Sequence, residues 1–170
     1  ELHERLPKVR LHIMGGVDDE EYGSECHALV ETLGVRDLIF TGRVNVVEYM
    51  EKLDFTILTS ISEGQPLSVL ESLAARRPCV TTEVGCCREL LEGAPGDDFG
   101  VAGFVTPPMY RKGLADAMER MCTSRARRIE MGERGQRRVA TYFLHEQMLA
   151  NYRALYDVTA QAFDLPREGE

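Results

Sequence analysis

No apolar run in this sequence approaches the roughly 20 residues that a membrane-crossing helix requires, which excludes an integral membrane helix. The first ten residues, Glu1 to Arg10, are charged and lack an apolar stretch, so no secretory leader is expected there. Net positive charge is missing too. Twenty Lys and Arg against 28 Asp and Glu leave −8 at neutral pH, so nucleic acid is not an expected partner. A regular cysteine framework is absent: Cys26, Cys79, Cys86, Cys87 and Cys122 are an odd set at irregular spacing. They read as plain thiols in a reducing, cytoplasmic setting rather than as disulfides or a zinc site. There is no D-x-D metal motif, since Asp18-Asp19 and Asp97-Asp98 are adjacent pairs suited to turns and caps; neither a metal nor a cofactor is expected. No G-x-S-x-G elbow occurs, and His3, His12, His27 and His145 lack triad partners, so all four read as structural or surface residues.

What is present suffices for one core. The 170 residues are 44% hydrophobic and 28% charged, which places a single domain over residues 1–160 and a polar tail over 161–170. Val9, Leu11 and Ile13 alternate with polar residues and predict a strand over Lys8–Met14, broken by Gly15-Gly16. Tyr22, Cys26, Leu29, Val30 and Leu33 recur at helical spacing, with Asp18 or Asp19 as N-cap and Gly34 as the stop. Further strands are predicted at Leu38–Thr41, Phe55–Thr59, Cys79–Thr82 and Gly103–Thr106. Short helices are predicted between them near Val46–Leu53, from Pro66 to about Arg76, and over Cys86–Leu91. Pro66 is placed at the first helical position, where its missing N–H costs nothing. After Pro107-Pro108 the pattern is helical only, in three segments marked by Leu114 to Met121, Met131 to Phe143 and Met148 to Tyr156. Five strands alternating with helices predict an α/β, Rossmann-like doubly wound parallel sheet with extra C-terminal helices. The arginine-rich run from Arg125 to Arg138 is read as a solvated helix face balanced by Glu130 and Glu133, with anionic lipid heads or another subunit as the sharper alternative.

Ligands of such sheets bind beyond the carboxyl ends of the strands, which points to the loops Gly15–Asp19, Gly42–Asn45 and Ser60–Ser68. The third joins a strand to the Pro66 helix, whose first free N–H groups belong to Leu67 and Ser68. Those groups and the helix dipole suit a phosphate or diphosphate. Gly64 admits a ligand close to the backbone. Glu63 and Glu71 flank this anion site. Carboxylates repel phosphate but accept hydrogen bonds from hydroxyls, so a ligand with sugars at both ends of a diphosphate, a nucleotide sugar, fits the pair.

The two glutamates, with seven residues between them, resemble the E-x7-E signature of retaining GT-B glycosyltransferases of family 4. The neighbouring segments GGVDDEEY, FTGRV, DFTILTSISEGQPLSVLE and RPCVTTEVGCCRELLE resemble the same family, from about Lys8 to Tyr156, and its Pel-type exopolysaccharide subgroup in particular. The resemblance implies that Glu71 holds ribose hydroxyls, that the amides of Leu67 and Ser68 face the diphosphate, and that those of Gly64 and Gln65 lie near the donor hexose. It further implies that Glu63 contacts hexose hydroxyls and orients the positively charged sugar, making it the catalytic residue. Arg43, Val44 and Asn45 would receive the base, and Gly15 and Gly16 would let the first loop approach the nucleotide. The implied donor is UDP-glucose. The implied partners are an N-terminal acceptor-binding domain of the same parent chain and, peripherally, the inner face of a membrane. The chain resembles only the donor-binding domain and contains no match to the family's basic pair ahead of that region, so catalysis by the 170 residues alone is not expected. Two other readings of the same fold stay open: a sugar-nucleotide epimerase and a non-catalytic scaffold. A receiver-type signalling module is disfavoured, because Thr59-Ser60 stands where a phosphorylatable Asp would end the third strand.

Overall fold

The structure, a computed structural model, describes residues 2–163. Elements follow in the order α1 (Leu2–Arg5), β1 (Leu11–Met14), α2 (Glu20–Thr32), β2 (Leu38–Gly42), α3 (Val46–Met50), β3 (Thr56–Leu58), α4 (Leu67–Ala74), β4 (Cys79–Thr82), α5 (Cys87–Glu92), β5 (Gly103–Thr106), α6 (Arg111–Cys122), α7 (Arg125–Tyr142) and α8 (His145–Phe163). The predicted alternation is present and every ladder is parallel. The strands form two hydrogen-bonded groups, β1–β2 and β3–β4–β5, with no ladder joining β1 to β3.

Several local differences have simple causes. The first strand begins at Leu11 rather than Lys8, because pairing starts where Leu11 meets Leu38, the first residue of β2. Asp19 caps α2, its carboxylate accepting from the Tyr22 N–H at 3.0 Å. Pro66 lies one position earlier than expected, as the extended N-cap of α4 (φ −71°, ψ 115°), where its carbonyl receives the Val69 N–H at 3.2 Å. The short helix α1 was not expected; Arg5 ties it to α6 through Asp116 at 2.6 Å and Glu119 at 2.8 Å. Part of the expected tail is helical, since α8 reaches Phe163, and the rest lies outside the described residues.

The core sits around β4, all four of whose residues are buried. Alternation along a strand sends successive side chains to opposite faces. Cys79 accordingly joins Val69, Leu73, Leu90, Leu91 and Ala102 under α4, α5 and α7, while Val80 joins Ala117, Met121 and Met131 against α6 and α7. Helix α7 comes close to α4 because Gly135 has no side chain: a Cβ there would lie 2.5 Å from Leu73 Cδ2. The arginine-rich helix is only in part the solvated face read from sequence: Arg125, Arg127, Arg137, Glu130 and Glu133 are exposed, but the other arginines are not. Arg138 is fully buried. It pairs with Asp97, its Nη2 donating to Oδ1 at 3.1 Å, and it donates to the carbonyls of Leu90, Leu91 and Gly100 at 3.1, 3.2 and 2.7 Å. Arg128 donates to Asp54 at 3.0 Å and to the carbonyls that end α6. Arg134 pairs with Glu130, as its spacing suggests. The guanidinium fork supplies donors for several carbonyls at once, so an apparently surplus cation becomes a tie between segments. Of the histidines, His12 hydrogen-bonds the Tyr49 hydroxyl at 2.6 Å and His27 lies 4.0 Å from the Phe40 ring, both structural contacts.

Candidate functional site

The loops that leave the strands at their carboxyl ends form two groups. In the first, the Gly15 N–H donates to Gly42 O at 2.9 Å, which fastens the β1 loop to the β2 loop. Arg43 then lies across Gly16, where a Cβ would sit 2.9 Å from its Nε. Its guanidinium reaches Asp18 at 3.8 Å, with both side chains almost fully exposed. A surface pair of that kind contributes little to stability and leaves Arg43 available. Val44 is half-buried, and Asn45 spends its side-chain amide on Glu48 at 2.9 Å. Any recognition by Asn45 therefore falls to its backbone.

The second group surrounds the start of α4. The carbonyl of Pro66 takes the N–H groups of Val69 and Leu70, leaving those of Leu67 and Ser68 with no partner inside the helix. Leu67, Ser68 and Glu71 share the exposed face of α4, while Val69, Ser72 and Leu73 are buried on the other. The free amides, the Ser68 hydroxyl and the Glu71 carboxylate thus open on the same side. Glu63 is half-buried, and its carboxylate accepts from the Ser60 hydroxyl at 2.7 Å. Ser60 is itself held, its carbonyl accepting from Thr82 Oγ1 at 2.5 Å.

Sequence reasoning missed the support beneath this loop. Cys86 N–H donates to Gly64 O at 2.9 Å, so the turn between β4 and α5 holds the glycine next to Glu63. Gly85 has φ +51°, and a Cβ there would run into Gly64 O and come within 2.5 Å of Glu63 O. The available signal was its place at the carboxyl end of β4, beside the loops already singled out. The Cys86 thiol is pushed up by burial, with a hydrogen bond to the exposed Gln65 acting the other way. Thus Glu63, Gly64, Gln65, Leu67, Ser68 and Glu71 are gathered around the start of α4, and Gly15, Gly16 and Arg43 around the first two loops. Among the described residues no hydrogen bond or ion pair joins the two groups. None of these residues lines the cleft of about 560 Å³ between β1 and β3, which reaches only as far as Met14; both groups face open surface.

The profile of the family "Glycosyl transferases group 1" matches residues 1–124. The chain belongs to this family. Its curated relatives include the N-acetyl-alpha-D-glucosaminyl L-malate synthase of Bacillus anthracis, 28% identical over 130 residues, covering 75% of this chain and 32% of the relative. The O-antigen biosynthesis glycosyltransferase WbnH of Escherichia coli is 36% identical over 93 residues, covering 52% of this chain and 25% of the relative. The group 1 chain thus spans about a quarter to a third of the length of these relatives. Among solved structures, sucrose-phosphate synthase from Thermosynechococcus elongatus superposes with a TM-score of 0.78 at 22% identity, over 92% of this chain and 41% of the other. Anabaena HepE in complex with UDP and glucose gives 0.78 at 22% identity, over 90% of this chain and 42% of the other. The C-terminal domain of the group 1 protein LpcC from Francisella tularensis gives 0.70 at 20% identity, over 85% of this chain and 74% of that domain. The fold is therefore that of a GT-B C-terminal domain: α/β, with parallel strands and C-terminal helices. No helix among the described residues is long and apolar enough to cross a membrane.

Proposed function

We propose that the chain is the donor-binding domain of a retaining hexosyltransferase that takes its sugar from a nucleoside diphosphate sugar, with UDP-glucose as the donor. The observation that carries the reading is the start of α4, where two partnerless amides and Glu71 share one exposed face beside a Glu63 held by Ser60. The amides of Leu67 and Ser68 receive the diphosphate, with the helix dipole favouring its negative charge. Glu71 accepts from the ribose hydroxyls. Glu63, steadied by Ser60, faces the hexose with Gly64 and Gln65. The base lies against the backbone of Arg43, Val44 and Asn45, where Gly15 and Gly16 leave room. Anabaena HepE, which shares the fold, has been solved with UDP-glucose.

In the reaction, the bond between the anomeric carbon and the diphosphate oxygen breaks as the acceptor hydroxyl oxygen attacks on the same face. The acceptor's proton passes to the departing phosphate oxygen. Charge grows on both fragments, so the work of this domain is electrostatic: donors for the diphosphate at the helix start and a carboxylate near the positive sugar. The acceptor is a saccharide or glycoconjugate held on an N-terminal domain of the same polypeptide. The setting is polysaccharide synthesis of the Pel type at the cytoplasmic face of the membrane.

Calorimetry and turnover measured on the full-length polypeptide test the division of labour. Glu71→Ala is expected to weaken UDP binding by about tenfold to a hundredfold, the worth of one charge-assisted hydrogen bond. Glu63→Ala is expected to lower turnover with UDP-glucose far more than UDP affinity. Equal losses of affinity and turnover in both variants reject the assignment.

A further inference from the structure

Glu63 stands on a loop that the sheet ladder does not reach. The β3–β4 pairing ends where Leu58 meets Thr81, so Ser60 and the residues after it have no partner in that ladder. Two other contacts take over, and both come from the end of β4 and the turn behind it. The Thr82 hydroxyl donates to Ser60 O at 2.5 Å, and the Cys86 N–H donates to Gly64 O at 2.9 Å. Glu63 lies between these two anchors. Its carboxylate Oε1 accepts from the Ser60 hydroxyl at 2.7 Å. A hydroxyl has one proton to give. That of Thr82 goes to Ser60 and that of Ser60 goes to Glu63, so the order of the relay is fixed from the core outward. It begins on a residue only 4% exposed, paired across the sheet with Thr106 of β5. It ends on a half-buried carboxylate whose second oxygen, Oε2, has no hydrogen bond among the described residues. Ile61, Ser62, Gly64 and Gln65 around it are exposed, so the loop has little packing of its own to hold that side chain. A glutamate side chain turns about three bonds, and a charge-assisted bond from a fixed hydroxyl selects among its rotamers.

We propose that Ser60 and Thr82 are positioning residues for sugar transfer: they set turnover through Glu63 without themselves contacting the donor. The proposal rests on the reading of Glu63 as the carboxylate that faces the hexose. A group that stabilises charge developing in the transition state acts best when it is in place before that charge appears. Released from Ser60, the Glu63 carboxylate turns to other rotamers and to water, and it has to be brought back as the sugar becomes positive. That loss falls on the transition state rather than on the bound ground state. UDP binding is spared for a structural reason. The free amides of Leu67 and Ser68 are set by α4, whose N-cap Pro66 and buried face of Val69, Ser72 and Leu73 do not involve Ser60.

Steady-state kinetics and calorimetry on the full-length polypeptide test this. Ser60→Ala is expected to lower kcat with UDP-glucose by about tenfold to a hundredfold, with KM and the Kd for UDP changing by no more than about twofold. Thr82→Val keeps the shape and loses the donor, and is expected to lower kcat by about threefold to tenfold. Ser60→Thr and Thr82→Ser, which keep the hydroxyls, are expected to recover most of it. Because the relay acts through one carboxylate, Ser60→Ala added to Glu63→Ala should leave kcat where Glu63→Ala alone puts it. Should Thr82→Val fail to fold, Ser60→Ala and the double variant still decide. Suppose Glu63→Ala lowers turnover while Ser60→Ala does not, or Ser60→Ala costs UDP affinity as much as kcat, or its full loss adds to that of Glu63→Ala. Each of these overturns the positioning role and leaves the reading of Glu63 intact. Unchanged turnover in Glu63→Ala overturns that reading, and this proposal with it. If UDP-glucose is not turned over, the same variants are compared on the nucleoside diphosphate sugar that a panel shows to be the donor; no turnover with any of them overturns both.

Discussion

Between Leu2 and Tyr49 no residue is buried, whereas from Met50 onward Val69, Leu73, Val80, Leu90, Leu91, Ala102 and Met121 are almost wholly removed from water. Both regions are written in the same language of short strands, glycine turns and amphipathic helices. The stripe on α2 is as regular as any in the chain, yet Tyr22, Leu29 and Leu33 on it are 67%, 57% and 65% exposed. The difference lies in the number of neighbours a strand has. β4 is flanked by β3 and β5 and covered on both faces, while β1 and β2 have only each other. Stability in this fold belongs to the region with the central strand. Gly15, Gly16 and Arg43, proposed to lie against the nucleotide, belong to the looser region.

The strongest test of that contrast is the buried ion pair. Asp97→Ala strands Arg138 without its counter-charge and is expected to cost about 3–5 kcal/mol, read from urea unfolding. A loss under 1 kcal/mol would mean that the carbonyls of Leu90, Leu91 and Gly100 suffice for the guanidinium. Leu73→Ala opens a cavity beneath α7 and is expected to cost about 2–5 kcal/mol in the same assay. Gly85→Ala forces a Cβ into the Glu63–Gly64 backbone at positive φ; strain of about 1–3 kcal/mol is expected. It should bring a loss of UDP affinity in the full-length polypeptide that Gly34→Ala, in open space at φ +60°, does not show. Loss of stability without loss of affinity would separate the β4–α5 turn from the site.

Acid sharpens the same comparison. The hydrogen bond from Arg138 holds the Asp97 carboxyl below its ordinary range, with burial opposing. A group whose folded pKa is depressed contributes stability above its unfolded value, near 3.9, and that contribution is lost as pH falls through the folded value. The unfolding midpoint of the parent should therefore fall more steeply below about pH 4 than that of Asp97→Asn, and parallel curves would refute the linkage. The smallest effect is expected at Leu29→Ala. With more than half of that side chain already in water, the change should stay within about 0.5 kcal/mol. If it costs as much as Leu73→Ala, the two regions are not different.

Much of the candidate site's local geometry was legible because its residues are close to one another in the chain. Glu63, Gly64, Gln65, Leu67, Ser68 and Glu71 occupy a single stretch, and a strand followed by proline and a helix determines where their amides point. Gly85, Cys86 and Thr82 were not legible as its support. They come from the next strand and turn, and a contact such as Cys86 N–H to Gly64 O depends on which strands are paired. Arg138 was misread for a related reason: its helix carries charges on most sides, and nothing in helical spacing marks which one meets Asp97, 41 residues away.

By itself the sequence determined the alternation of strands and helices, the turns at Gly15, Gly42 and Gly64, and the helix start that offers free amides, since these follow from backbone preferences over a few residues. The tertiary structure alone decided which strands find partners, which arginine is buried and which regular apolar stripe stays wet. Burial and hydrogen bonding depend on what lies across a gap in space, and a chain's local pattern contains no record of its neighbours.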